Sequence, residues 1–208
     1  MLTLSSFTGG LAQTNGFLVE KDGRTIVVDA PEGMAEWLEE RAGSLELEAL
    51  VLTHQHFDHV MDAAAVASLT GCPVLAFSNF SRELTLEALF GNWTGMALSV
   101  PEFPVTRHLA EGAALELLGF HWDVLHVPGH SPDSICLSQP ALGLLFGGDV
   151  LMRGGVGRTD LPGGSFATLA EGIRGKILTL PDSTRVLPGH GPETTVGMER
   201  EGNPWLAE

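Results

Sequence analysis

A short apolar run, Ala49-Leu50-Val51-Leu52, leads directly into Thr53-His54-Gln55-His56-Phe57-Asp58-His59, and this junction constrains the fold more than any other part of the 208-residue sequence. A wholly apolar run of that length marks a buried strand. Its end delivers three imidazoles and a carboxylate, the donor types that zinc, iron and manganese share. In an extended stretch His54 and His56 face the same way, while Asp58 and His59, at the start of a following helix, turn toward a neighbouring point. One loop can therefore serve two adjacent metal sites. A His-rich loop taken alone could be a polar surface turn, but three more loops share its layout, each placing a metal-competent residue just after an apolar strand: Pro128-Gly129-His130-Ser131, Gly147-Gly148-Asp149 and Pro188-Gly189-His190-Gly191.

The rest of the chain supplies a frame for such loops. Residues 16–30 read as a hairpin, with Phe17 to Val19 and Ile26 to Val28 flanking Lys21-Asp22-Gly23-Arg24. Pro31 to Arg41 carries Met34, Trp37 and Leu38 at helical spacing and is followed by Gly43. Helices are expected from Val60 to Leu69, near Ser81 to Phe90 and from Phe166 to Leu178. Further strands are expected at Val74 to Phe77, Ala114 to Leu118, Trp122 to Val127, Ser134 to Leu137, Leu142 to Phe146 and Arg185 to Leu187. Residues 91–107, with Gly91, Gly95, Pro101 and Pro104, form an irregular connection between two halves. The order of elements points to an α/β protein with two packed sheets and helices outside.

Composition narrows the function. With 26 acidic against 11 basic residues the net charge is -15, which repels polyanions and leaves no Lys/Arg stripe, so nucleic acid is not an expected partner. Hydrophobic residues at 44% and charged residues at 18% are those of a globular chain, and its length suits one substantial domain spanning 1–208. Cys72 and Cys136 lack the close pairing of a zinc ribbon or redox motif and read as buried thiols. The N-terminus has no basic start followed by an apolar stretch, and no segment is apolar enough to span a bilayer, so the expected address is the cytoplasm, with no membrane partner.

The four loops together resemble the metallo-β-lactamase superfamily, whose motif is His-X-His-X-Asp-His followed by a distant His, an Asp and a final His. The match spans most of the chain. The resemblance implies a four-layered αββα sandwich and two divalent metal ions, zinc, iron or manganese. It places His54, His56 and His130 on one ion and Asp58, His59 and His190 on the other, with Asp149 bridging. Such a pair of ions can hold a bridging hydroxide that acts as the nucleophile, oriented by the catalytic carboxylates Asp58 and Asp149. Asp29, ending a strand in Val27-Val28-Asp29-Ala30-Pro31, either steadies a ligand histidine or simply starts the next helix.

Within the superfamily, three segments are similar to the short bacterial glyoxalase II group: Gly157-Arg158-Thr159-Asp160 with Gly163-Gly164, Pro188 to Thr195, and Glu199-Arg200 before Asn203-Pro204. That group implies hydrolysis of a thioester, S-lactoylglutathione or a related hydroxyacyl thioester. The chain reads as lacking the C-terminal helical domain that supplies basic residues to the glutathione site of full-length members. Arg153 and Arg158, after Asp149, are then the candidates to meet a substrate carboxylate.

An alternative implied by resemblance is a persulfide dioxygenase with one iron on His56, His130 and Asp149; Pro188-Gly189-His190-Gly191-Pro192 favours the hydrolases. A non-catalytic metal-binding module is a third reading, disfavoured because no ligand is missing. A β-lactamase and an RNA-processing nuclease are disfavoured by the second-site pattern and by the charge. His108, His121 and His126 are assigned no role, and Trp93, Met96 and Phe103 read as core residues before substrate-lining ones.

Overall fold

The computed structural model describes residues 2–41 and 46–207; Gly43 lies outside the described residues. The chain forms two compact units, Met1–His108 and Leu109–Glu208. Among the described residues no helix is long and apolar enough to cross a membrane.

The first unit is built on a six-stranded sheet in the order β1 (Leu2–Gly9), β2 (Thr14–Lys21), β3 (Arg24–Val28), β4 (Glu46–Val51), β5 (Val74–Ala76), β6 (Arg107–His108). Strands β1, β2 and β3 pair antiparallel, and β3 to β6 pair parallel. The β2–β3 turn is the expected one: Asp22 (φ 52°) and Gly23 (φ 82°) are both left-handed, as a two-residue hairpin turn that matches strand twist requires. Strand β1 escapes the sequence reading because its Thr and Ser residues blur the apolar alternation of a half-exposed edge.

Helix α1 (Met34–Arg41) starts later than Pro31, because Gly33 has φ 91° and the helix entrance is capped from elsewhere. Asp62 Oδ2 accepts hydrogen bonds from Gly33 N at 2.9 Å and Ala35 N at 3.0 Å. The same residue explains why the helix expected from Val60 to Leu69 is two, α2 (Phe57–Val60) and α3 (Ala63–Thr70). With its amide donating to Ala30 O at 2.9 Å, Asp62 is held at φ -100°, ψ 8°, outside the helical basin. Left-handed Leu86 (φ 55°) likewise splits the next expected helix into α4 (Arg82–Thr85) and α5 (Glu87–Thr94). Leu18, Val27, Leu50, Leu52, Val60, Val66 and Phe103 belong to the core of this unit. Trp93 and Met96, expected in the core, are exposed, whereas Phe103 is buried.

The second unit carries another six-stranded sheet, ordered β14 (Thr194–Thr195), β13 (Arg185–Pro188), β10 (Leu144–Gly148), β9 (Ile135–Gln139), β8 (Phe120–His126), β7 (Leu115–Leu117). All neighbours are antiparallel except β10 and β13. A small ribbon, β11 (Leu151–Met152) with β12 (Gly155–Val156), follows β10. Helix α6 (Phe166–Gly172) continues as a single π-helical stretch, Ile173–Ile177, where Leu178 N donates to Ile173 O at 2.9 Å. Helix α7 (Val196–Gly202) is capped by Thr195, whose side chain accepts from Met198 N; its two glycines hid it from the sequence reading. Val127, Cys136, Leu145, Leu169, Ile173 and Val186 lie in the core of this unit.

Candidate metal centre

In the first unit all the candidate ligands follow β4. Strand β4 runs parallel between β3 and β5, buried on both sides, so its C-terminal end opens where parallel sheets place their chemistry. His54, His56 and His59 are buried and Asp58 is partly so. The rings of His54 and His56 stand 4.6 Å apart and those of His54 and His59 4.1 Å apart, centroid to centroid. Gln55, between two of them, points the other way, as alternation demands. Its amide donates to Ser78 O, Ser78 Oγ and Asn79 O and its carbonyl accepts from Ser81 N, tying the loop to the segment after β5.

Asp29 organises this loop. It ends β3 with a left-handed backbone (φ 58°), is 1% exposed, and accepts from Thr53 N (2.7 Å), Thr53 Oγ1 (2.7 Å) and His59 Nδ1 (2.8 Å). The entrance of α1, the other role considered for Asp29, is served by Asp62. Since the one Thr53 hydroxyl proton goes to Asp29, the 3.2 Å contact between Thr53 Oγ1 and His54 Nδ1 has the imidazole as donor. His54 and His59 therefore both carry their proton on Nδ1, leaving the Nε2 lone pair for a ligand bond. Thr14, on β2, donates to Asp58 Oδ2 at 2.7 Å.

In the second unit the candidate ligands come from three places. His130 lies between β8 and β9, and Asp149 and His190 follow β10 and β13. Parallel pairing of those two strands, extended by Gly189 N donating to Gly148 O at 2.7 Å, sets Asp149 beside His190. Asp149 Oδ2 is 3.5 Å from His130 Nε2 and 3.3 Å from His190 Nε2, so one carboxylate oxygen faces two imidazoles. His130 Nδ1 is 2.8 Å from Arg158 O, a carbonyl that can only accept, which again leaves Nε2 with its lone pair. Gly157 makes this approach possible. A Cβ there would collide with the Asp149 carbonyl oxygen and lie 3.0 Å from His130 Cγ.

The spacings fit metal ligation. Two donors bound at about 2.0–2.2 Å to one tetrahedral ion stand roughly 3.3–3.5 Å apart, matching the two Asp149 separations, with Asp58 Oδ2 to His59 Nε2 close behind at 3.6 Å. Three imidazoles of fixed tautomer, backed by a carboxylate, a hydroxyl and a carbonyl, are the donor chemistry such an ion needs.

A family model described as the metallo-beta-lactamase superfamily matches residues 9–190. The chain belongs to the metallo-beta-lactamase superfamily. Its α/β fold is that of the family: it resembles a solved structure described as BLEG-1 B3 metallo-beta-lactamase, 32% identical, with a TM-score of 0.86 over 99% of this chain and 100% of that one. It also resembles TTHA1623 in a di-iron-bound form, 37% identical, with a TM-score of 0.83 over 97% and 100%. Hydroxyacylglutathione hydrolase GloC of Haemophilus influenzae is 37% identical over 198 residues, 93% of each chain. The short glyoxalase II-like resemblance is thereby upheld, and the chain is a superfamily metallohydrolase with a His/Asp set suited to metal.

The two candidate substrate arginines are exposed and engaged. Arg158 forms a bidentate pair with Asp160, Nε to Oδ1 and Nη2 to Oδ2 both at 2.8 Å; this hydrogen bonding holds the Asp160 carboxyl down at about 2 and raises the Arg158 guanidinium. Arg153 Nη2 donates to Glu193 O. His108, His121 and His126 contact Asn79, Glu116 and Pro132 O respectively through ring nitrogens. No sequence signal assigns Thr14, Thr53 or Gly157 the supporting roles they hold here. Gln55 alone left a signal, since a polar residue between two inward-facing ligands must be buried on the other side and find partners there.

Proposed function

We propose that residues 1–208 act as a single metallo-β-lactamase domain holding two divalent metal ions, and that it hydrolyses a thioester, S-lactoylglutathione or a related hydroxyacyl thioester. In this reading His54, His56 and His130 would hold one ion and Asp58, His59 and His190 the other, with Asp149 between them. The observation that carries the substrate class is the relative named hydroxyacylglutathione hydrolase, aligned over nearly the whole chain. The di-iron neighbour supports two metals and makes iron a candidate beside zinc and manganese.

Metal at this site supplies Lewis acidity and a water activated near neutral pH, so that no serine or cysteine nucleophile is required. The chain's own residues do the positioning. Thr14 holds Asp58, and Asp58 and Asp149 orient the attacking water. Asp29, Thr53 and the Arg158 carbonyl keep three imidazoles turned Nε2-forward. In the reaction the water oxygen forms the new C–O bond, the C–S bond breaks, and the thiol leaves with a proton. A substrate carboxylate would be met by Arg153 after it exchanges the Glu193 carbonyl, and by Arg158 only if the substrate displaced Asp160; with that pair intact Arg158 offers no net charge.

A second acyl reading, cleavage of a β-lactam amide, draws on the BLEG-1 neighbour, 32% identical. Elemental analysis of protein purified under defined metal supply, paired with S-lactoylglutathione, non-glutathione thioesters, a β-lactam and glutathione persulfide, separates the readings. Two metals per chain with thiol release is the expected result. Metal-loaded protein inert to every thioester overturns it, and one iron with oxygen uptake on the persulfide replaces it by dioxygenation.

A further inference from the structure

The second unit contains a pocket of about 360 Å³ lined by Val156, Gly157, Arg158, Thr159, Asp160, Phe166 and Trp205. Its place is set by the site: Gly157 packs against Asp149 and His130, and Arg158 O receives the His130 Nδ1 proton. Its walls are aromatic. Phe166 and Trp205 are 41% and 56% exposed and meet edge to face, with ring centroids 6.2 Å apart and planes at 62°, so much of their apolar surface remains accessible to a ligand. Its charged rim is self-satisfied, because the Arg158 fork is filled by both Asp160 oxygens, which leaves the pair without net charge toward a ligand.

Resting on the thioester reading above, we propose that this pocket takes a neutral, apolar arm of the thioester, of aryl or branched-alkyl size, and that Trp205 and Phe166 set specificity for it. A mostly apolar cavity of this volume, with one internally neutralised ion pair, rewards buried hydrocarbon over a peptide-like anionic arm. The arm can belong to the departing thiol or to the acyl group, and the two are separated by varying one while the other is kept small.

The test uses the metal-loaded full chain and two series: methyl, butyl and benzyl thioacetate, in which the thiol grows, and the S-methyl thioesters of acetic, butyric and phenylacetic acid, in which the acyl group grows. The expected result is a rise in kcat/KM of about tenfold or more along one series. The rise is carried by KM, lost in Trp205→Ala and Phe166→Ala, and largely kept in Trp205→Phe. Leu69→Ala, an exposed apolar change on α3, leaves both series as they are. Circular dichroism checks that each variant is folded, and binding of benzyl acetate to the metal-free protein, followed by tryptophan fluorescence, gives a readout independent of turnover. Flat series, or a rise that survives Trp205→Ala in folded protein, overturns the pocket assignment while leaving thioester hydrolysis standing. No turnover even of methyl thioacetate and S-lactoylglutathione defeats the underlying reading instead, and the metal-free binding arm still decides whether the pocket holds an apolar group.

Discussion

The candidate ligands of the two units are held in opposite ways. In the first, four come from one six-residue stretch after β4, and a single side chain, Asp29, fixes its last residue, His59, and Thr53, the residue just before the stretch. In the second, three come from three strand ends, and their support is main chain: the Arg158 carbonyl on His130, and the Gly189 amide on Gly148 beside Asp149. A contiguous loop needs one dedicated organiser that mutation can delete. Distributed ligands are held by sheet pairing and backbone contacts, which substitution reaches only by forcing the backbone apart.

Metal removal tests both halves together and has the largest expected effect. Chelation should bring hydrolysis to background and lower Tm, since a ligand bound only to the folded state at a hundred times its Kd adds about 2.7 kcal/mol; re-addition of metal should restore both. Asp29→Ala should strand three buried donors and cost about 3 kcal/mol by chemical denaturation, while metal affinity falls about 10–100-fold. Its mirror in the second unit, Arg158→Ala, should keep full metal content because the carbonyl remains. Equal metal loss in both variants would erase the contrast. Gly157→Ala, which drives a methyl into the Asp149 carbonyl, should cost about 2 kcal/mol and weaken metal binding, showing that the second group fails through backbone rather than side chain.

Thr14→Val removes one hydrogen bond to Asp58, with an expected loss of about 1 kcal/mol and a fall in kcat/KM rather than in metal content. The gentlest probe is thiol reactivity, with one buried cysteine in each unit. Burial raises Cys72 and pushes Cys136 up to about 12. A raised thiol stays protonated until pH climbs toward that value, so at pH 8 neither should react with iodoacetamide in folded protein. In mild denaturant, the order in which they alkylate reports which unit opens first.

The candidate donors could be proposed from sequence because each follows an apolar run. Their supports could not. Thr14 meets Asp58 across 44 positions, and only the hairpin's return brings it there. The split of the helix after the histidine loop depends on Asp62 serving another helix's entrance, a tertiary demand that local propensity does not record. Asp29 was half-legible: its strand-end position allowed two roles, and only the placement of Thr53, His59 and Asp62 separates them. The π-helical stretch after α6 adds one residue to a turn without disturbing the apolar pattern, so periodicity passes over it. The exposure of Trp93 and Met96 shows the limit of reading large apolar residues as core.

The segment from Gly157 to Gly164 is pinned at both ends by the absence of side chains. A methyl at Gly157 would strike Asp149, and one at Gly164 would strike the Thr159 carbonyl, while Arg158 and Asp160 between them extend outward into solvent. The backbone path is thus sterically restricted where it touches the candidate ligands and free to carry other side chains where it faces solvent. On the proposed reading, such a segment would separate two histories that are often entangled in enzymes: a lineage could exchange what it recognises, one codon at a time, without renegotiating how it holds a metal.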